Sequence, residues 1–305
     1  MNFLYKAKLQ MLLSAMPKGE NINYFFQKYI SKSLPIPDDE LATKINTVKM
    51  HLDKYLLYSE NKDLSKVSYY EFGSGYDLVI PLTMRQMGIS NLTCIDIREL
   101  VFPDLINDTI IRLRKHYSES DSENIFDKDI PEITQKNYKD ILYKYFNIKY
   151  FAPLDARKTG LETDSIDFIL SNATFEHIPV NSISDILKEC YRILKKGGIM
   201  SNAIDYRDHW SFFDNSISVY NYLQYSENEW KKVNPSLMYQ NRLRHRDYIE
   251  FIKSAGFEIM YEKKDLPENN DLESFKLQNI NELYKEKYTI DELTVKSSLL
   301  VLKKN

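Results

Sequence analysis

The sequence predicts an α/β fold: a seven-stranded, mostly parallel sheet with helices on both faces. Three observations predict it. From Lys66 onward, short apolar runs alternate with stretches whose apolar residues recur every three or four positions. Gly73 and Gly75, two of only 8 glycines in 305 residues, close the first apolar run. Asp96 and Asp155 close the next two. Strands alternating with helices imply right-handed crossovers, and therefore a parallel sheet covered on both sides.

Residues 1–65 read as a helical N-terminal extension, because they show apolar spacing without strand alternation. "YFFQKYISKSL" ends at "PIPDDE", where two prolines break one helix and the acids suit the start of another. In the following stretch Leu41, Ile45, Val48, Leu52, Tyr55 and Leu56 fall at helical steps. The second domain, 66–305, begins with the strand "KVSYYEF", a helix closing at Gly88, and the strand "LTCIDI". Two helical stretches separated by an acidic connection form an insertion at about 103–147. The third, fourth and fifth strands are "IKYFAPLD", "SIDFILSNA" and "GIMSNAID", with the helix "VNSISDILKECYRILKK" before the fifth. An aromatic, polar segment at about 206–246 reads as a cap after strand five. The helix "RDYIEFIKSAG" and the strand "FEIMYEKKD" follow. The closing "ELTVKSSLLVLKK" suits an edge or antiparallel strand.

Composition narrows the function classes. With 43% hydrophobic and 28% charged residues and a net charge of -3, the chain reads as globular, with no electrostatic footprint for nucleic acid. No apolar run approaches the roughly 20 residues of a membrane span, and "LQMLLSAM" is a poor signal-peptide core. A cytoplasmic protein is expected, with dimerisation left open. Cys94 and Cys190 sit in apolar runs and read as buried thiols; no C-x-x-C pair suggests zinc.

The strand ends carry the chemistry. Glycines between a strand and a helix permit a sharp turn and let a ligand approach the main chain, beside the free N–H groups of the helix N-terminus. A carboxylate about 20 residues later, here Asp96, can accept hydrogen bonds from both hydroxyls of a ribose. Asp155-Ala156 adds a second acidic position on the same edge. Leu78 stands where G-x-G-x-x-G would require glycine, which disfavours a nicotinamide dinucleotide.

With these residues in view, the chain resembles the class I S-adenosylmethionine-dependent methyltransferases, which are Rossmann-like. "YEFGSGYD" is similar to their glycine-rich motif and "CIDI" to their acidic second strand. "LDARKTGLETDSIDFILSNATFEHIP" and "ILKECYRILKKGGIM" resemble the methyltransferase-11-like subgroup. The resemblance covers roughly residues 66–205, with 247–304 also fitting, and departs at Asp77, where the family often has a third glycine. It implies S-adenosyl-L-methionine as cofactor. Glu71, Gly73 and Gly75 would surround its methionine part, Asp96 its ribose, and Asp155 and Ala156 its adenine, with Ser74 and Ile97 also binding the cofactor and Asn172 facing the methyl group.

The remaining requirement is a group that takes the acceptor's proton. "AIDYRDHW" follows strand five on the substrate side of such a fold, making His209 and Asp205 the catalytic candidates. His177, Asp208, Arg242 and Arg244 are the substrate-binding candidates, since arginine forks suit an anionic acceptor such as a nucleotide-linked sugar. The expected activity is O-methylation of a small molecule such as a sugar or glycan precursor. The alternatives are N- or C-methylation of a lipid or secondary metabolite, and a non-catalytic binding module. No resident metal is expected; a Mg²⁺ site at Asp205, Asp208 and His209 is a minor variant.

Overall fold

The computed structural model describes residues 2–118 and 123–305; part of the acidic connection, residues 119–122, lies outside the described residues. In chain order the helices are α1 (Phe3–Ala15), α2 (Gly19–Phe25), α3 (Asp38–Tyr58), α4 (Val79–Gln86), α5 (Pro103–Tyr117), α6 (Tyr138–Phe146), α7 (Val180–Ile193), α8 (Glu227–Trp230), α9 (His245–Ser254), α10 (Asn269–Lys276), α11 (Glu282–Lys287) and α12 (Ile290–Thr294). The strands are β1 (Ser68–Phe72), β2 (Asn91–Ile95), β3 (Ile148–Phe151), β4 (Ile166–Asn172), β5 (Leu194–Asp205), β6 (Glu258–Asp265) and β7 (Ser297–Lys303).

The strands form one seven-stranded Rossmann-like sheet in the order β3-β2-β1-β4-β5-β7-β6. β1 pairs in parallel with both β2 and β4, so the strand order reverses at β1. Such a switch point opens a crevice at the carboxyl ends of the strands, where α/β sheets bind ligands. The chain's last strand is not at the edge. β7 lies between β5 and β6 and is buried along its middle, whereas β6 is the exposed edge. Gly197 N–H donates to Lys304 O at 2.7 Å and Tyr206 N–H to Lys296 O at 2.8 Å, so β7 runs antiparallel to β5.

The chain divides into two compact units, and this division departs from the expected one at residue 65. One unit comprises Gln27–Ser171, Asp185–Ser201 and Val301–Asn305. Its α3 starts with Asp38, Asp39 and Glu40, which complement the helix dipole, and buries Leu41, Ile45, Val48, Leu52 and Tyr55. The Tyr55 ring lies 4.7 Å from that of Phe168 on β4. His51, also on this face, is wholly buried and bonds Ser201 Oγ at 2.7 Å. Cys94 and Cys190 are buried and free, as the sequence suggests.

The other unit comprises Met1–Phe26, Asn172–Ser184 and Asn202–Leu300. Its core joins Phe3 and Ala7 of α1 to Trp210, Tyr220, Tyr222 and Trp230 of the post-β5 segment, and to Tyr284, Tyr288 and Leu293 near the C-terminus. The N-terminal helices are therefore not one extension: the apolar face of α1 and that of α3 belong to different cores. Among the described residues, no helix is long and apolar enough to cross a membrane.

Candidate active site

In the first unit, the register pairs Glu71 with Cys94 and Phe72 with Ile95, so the two strands end side by side. Gly73 N–H continues the ladder to Ile95 O at 2.9 Å. The backbone then turns through left-handed conformations at Gly73 (φ 75°) and Gly75 (φ 79°), which only glycine adopts cheaply. A Cβ added to Gly75 would meet nothing within 4 Å, so the backbone angle and not crowding demands glycine there. The absent third glycine has a structural answer. Asp77 accepts the Val79 N–H at 3.2 Å, capping α4, and its other oxygen pairs with Lys44 at 2.8 Å. Leu78 takes the left-handed turn itself, at φ 54°.

Asp96 follows β2 directly and is buried. It accepts a hydrogen bond from Tyr150 Oη at 2.9 Å and others from the N–H groups of Ser74 and Gly75. Burial outweighs these bonds and raises its pKa to about 7. Burial likewise raises Glu71 to about 8, although Tyr69 Oη donates to it at 2.8 Å. Asp155 is held instead by Arg157, whose Nη2 lies 2.6 Å from its Oδ2, and its pKa is lowered. Ile97 stands exposed beside Asp96. Glu71, Ser74 and Asp96 are thus brought together around the glycine turn. This acceptor-rich cradle fits a ligand with an ammonium group and ribose hydroxyls, all of them donors.

A pH dependence follows. The folded-state pKa values of Glu71 and Asp96 lie above their ordinary values of 4.5 and 3.8, so the folded chain holds protons that the unfolded chain has released. Stability is expected to fall as pH rises from about 4 to 8, by about 1.4 kcal/mol per pH unit for each group at most. Chemical denaturation at pH 5, 6, 7 and 8 checks this. Glu71→Gln should flatten the curve relative to wild type, and an unchanged slope would remove the assignment.

In the second unit, the turn Phe175–His177 carries Glu176 and His177 beyond β4, where Asn172 ends the strand. Asn241 fixes that turn, donating through Nδ2 to the carbonyls of Phe175 and Ile178 at 2.8 and 2.9 Å. The short helical turn His209–Phe212 carries His209, whose N–H donates to Gln240 Oε1 at 3.1 Å. The His177 and His209 rings are 4.9 Å apart between centroids, and one ligand-capable atom each from Glu176, His177 and His209 lies within 4.8 Å of the others. His177 Nδ1 lies 2.7 Å from Tyr239 O, which as a carbonyl only accepts, so Nδ1 carries the hydrogen and Nε2 the lone pair. Burial and the neighbouring His177 push His209 down to about 4, whereas burial pushes Glu176 up to about 8.

Three expectations for this unit change. Asp208 is fully buried and structural: it accepts the Trp210 N–H at 2.8 Å and Asn221 Nδ2 at 2.8 Å. Arg242 is spent on the carbonyls of Tyr222 and Tyr225 and on Glu227. Arg244, with no exposed surface, clamps the carbonyls of Tyr206, Leu293 and Val295. Neither arginine offers a fork to an anionic acceptor. Asp205 is gripped by Arg207, with Nη2 to Oδ2 at 2.6 Å, and lies 3.8 Å from His209 Nε2. Asp208 therefore does not join Asp205 and His209 in a Mg²⁺ site. The residue overlooked in the sequence is Glu176; its only signal there is its place beside His177 in "FEHIP".

Among known families, a methyltransferase-domain model matches residues 124–201, from the acidic connection through β4 and α7 into β5. With the switch-point crevice and its acidic cradle, that match supports the class. The chain carries a class I S-adenosylmethionine-dependent methyltransferase domain. Its cofactor is S-adenosylmethionine. Similar solved structures include geranyl diphosphate C-methyltransferase from Streptomyces coelicolor A3(2), 11% identical, with 90% of this chain and 86% of that one covered and a TM-score of 0.48. Another is an S-adenosylmethionine dependent methyltransferase from Mesorhizobium loti, 10% identical, with coverages of 85% and 96% and a TM-score of 0.46. Likeness this distant carries no argument about the acceptor. No curated protein matches the chain significantly. A cavity of the methyltransferase domain lined by Lys49, Asp53, Arg85 and Tyr117 lies by the C-terminal end of α4, away from the glycine turn, and is not the cofactor cradle.

Proposed function

We propose that the methyltransferase O-methylates a small hydroxylic molecule, a sugar or glycan precursor being the class it suits. The observation that carries the reading is Glu176. Its carboxyl is 2% exposed, its Oε2 has no hydrogen-bond partner, and it lies beside the neutral imidazole of His209. When bound, S-adenosylmethionine supplies a methyl group made electrophilic by its sulfonium. Glu71, Gly73, Ser74, Gly75, Asp96, Ile97, Asp155 and Ala156 are assigned to hold it: the buried Glu71 and Asp96 accept from its donors and Ile97 offers an apolar surface. Glu176 and His209 hold and remove the acceptor's proton, the Asp205 carboxylate 3.8 Å from His209 Nε2 favours its protonated form, and His177 lines the acceptor side.

With Arg242 and Arg244 engaged internally, nothing in these residues favours an anionic acceptor. His209, at about 4, is a weak base, which shifts the main burden to Glu176 and lends some support to a neutral amine acceptor needing no strong base. The test is transfer of labelled methyl groups into hydroxylic and amine acceptors. Glu176→Gln is expected to lower kcat about a hundredfold while leaving S-adenosylhomocysteine affinity unchanged. Undiminished turnover on every accepted substrate would sink the proton-transfer role.

A further inference from the structure

We propose that Glu176, His177 and His209 form a binding site for a divalent first-row transition-metal ion. The site shares Glu176 and His209 with the proton-transfer role above, which belongs to the metal-free chain, and metal binding is read independently of methyl transfer.

Three observations support it. First, the donor set is two imidazoles and one carboxylate, with a ligand-capable atom of each within 4.8 Å of the others. This combination suits zinc, cobalt, iron or nickel, while magnesium and calcium prefer oxygen-only sites. At metal–ligand distances of about 2.1 Å, tetrahedral ligands stand roughly 3.4 Å apart. The three groups therefore need to close by about 1.4 Å at most, within the reach of side-chain torsions.

Second, Glu176 is 2% exposed and its Oε2 has no hydrogen-bond partner; the carboxyl accepts from the Asp205 N–H, 3.3 Å from Oε1, and from its own N–H. His209 Nε2 is likewise buried without a partner. Buried polar atoms are nearly always satisfied, and an unfilled oxygen of a buried carboxyl within 4.8 Å of two imidazoles is a place that a cation would fill.

Third, the surroundings are those of a ligand set. The Nδ1–H of His177 donates to the Tyr239 carbonyl at 2.7 Å, which presents Nε2 as the free lone pair in the way metal-binding histidines are commonly oriented. Asn241 fixes the backbone turn that carries Glu176 and His177, and Asp205 lies 3.8 Å from His209 Nε2. His177 is exposed, which leaves an entry path for the ion. Three protein ligands leave a coordination position open for water or an acceptor oxygen.

The experiment is titration of the full chain, free of any histidine tag and treated with chelator, with Co²⁺ followed by visible absorption and with Zn²⁺ followed by calorimetry. The expected result is saturable binding of one equivalent with a cobalt ligand-field spectrum, and none with Mg²⁺. Glu176→Gln, His209→Ala and the exposed His177→Ala should each weaken binding at least tenfold. S-adenosylhomocysteine binding by each variant confirms that it is folded and tests the methyltransferase reading separately. Absence of saturable Co²⁺ and Zn²⁺ binding by wild type would overturn the proposal. So would binding that the folded His177→Ala variant leaves unchanged.

Discussion

Replacing Arg244 by leucine is expected to destabilise its unit by at least about 4 kcal/mol, enough to unfold it in ordinary buffer. The side chain has no exposed surface. Nη1 donates to the Tyr206 carbonyl at 2.7 Å and to the Tyr222 hydroxyl, and Nη2 to the Leu293 carbonyl at 2.8 Å and to the Val295 carbonyl. Leucine fills part of the volume but strands the buried Leu293 and Val295 carbonyls, each worth about 1–3 kcal/mol when unsatisfied, and leaves the Tyr206 carbonyl only the hydroxyl of Tyr222. Losses above about 4–5 kcal/mol are rare and mark this kind of broken buried network. Lysine would restore less than its charge suggests, because an ammonium lacks the planar fork that spans carbonyls on separate segments. The measurement is denaturant unfolding followed by tryptophan fluorescence. Both tryptophans of the chain, Trp210 and Trp230, lie in that unit's core and report on it. A loss below about 1 kcal/mol would show that the guanidinium is not the clamp.

Asp96→Ala is expected to weaken S-adenosylhomocysteine binding at least about thirtyfold. Two charge-assisted hydrogen bonds to ribose hydroxyls are worth roughly 1.5 kcal/mol or more each, though not fully additive, and each 1.4 kcal/mol is tenfold in affinity. Calorimetry checks it; undiminished binding by the folded variant would overturn the ribose assignment. The same residue sets a pH signature. Donors on the ligand favour the carboxylate, while the free protein holds Asp96 near 7 and Glu71 near 8. Binding therefore releases protons, and wild-type affinity should climb as pH rises from about 6 to 8. The alanine variant should lose the Asp96 share of that climb.

Much of this was legible without coordinates because its signals are local. Apolar periodicity marks α3 by Leu41, Ile45, Val48 and Tyr55, and short apolar runs mark β1, β2 and β4. A glycine pair at a strand end and an acid about 20 residues later mark the cradle, because turn geometry and donor–acceptor chemistry depend on residue type. Partners are another matter. "NRLRHR" shows cations but not that Arg244 closes on carbonyls near residues 206, 293 and 295, far along the chain. Asp208 has the residue type of a substrate ligand, yet it caps a turn. Glu176 gains its unusual character from burial, which no neighbour in sequence announces.

By itself, then, the sequence determined the α/β alternation, the class I methyltransferase resemblance and the residues of the glycine turn with Asp96. Only the tertiary structure decided that β7 inserts antiparallel between β5 and β6, that α1 and α3 serve different cores, and that Glu176, His177 and His209 converge. The physical reason is range. Periodicity and turn chemistry act over a few residues, whereas strand order, the pairing of a buried charge and the meeting of side chains 32 or 33 positions apart depend on how the whole chain closes its core.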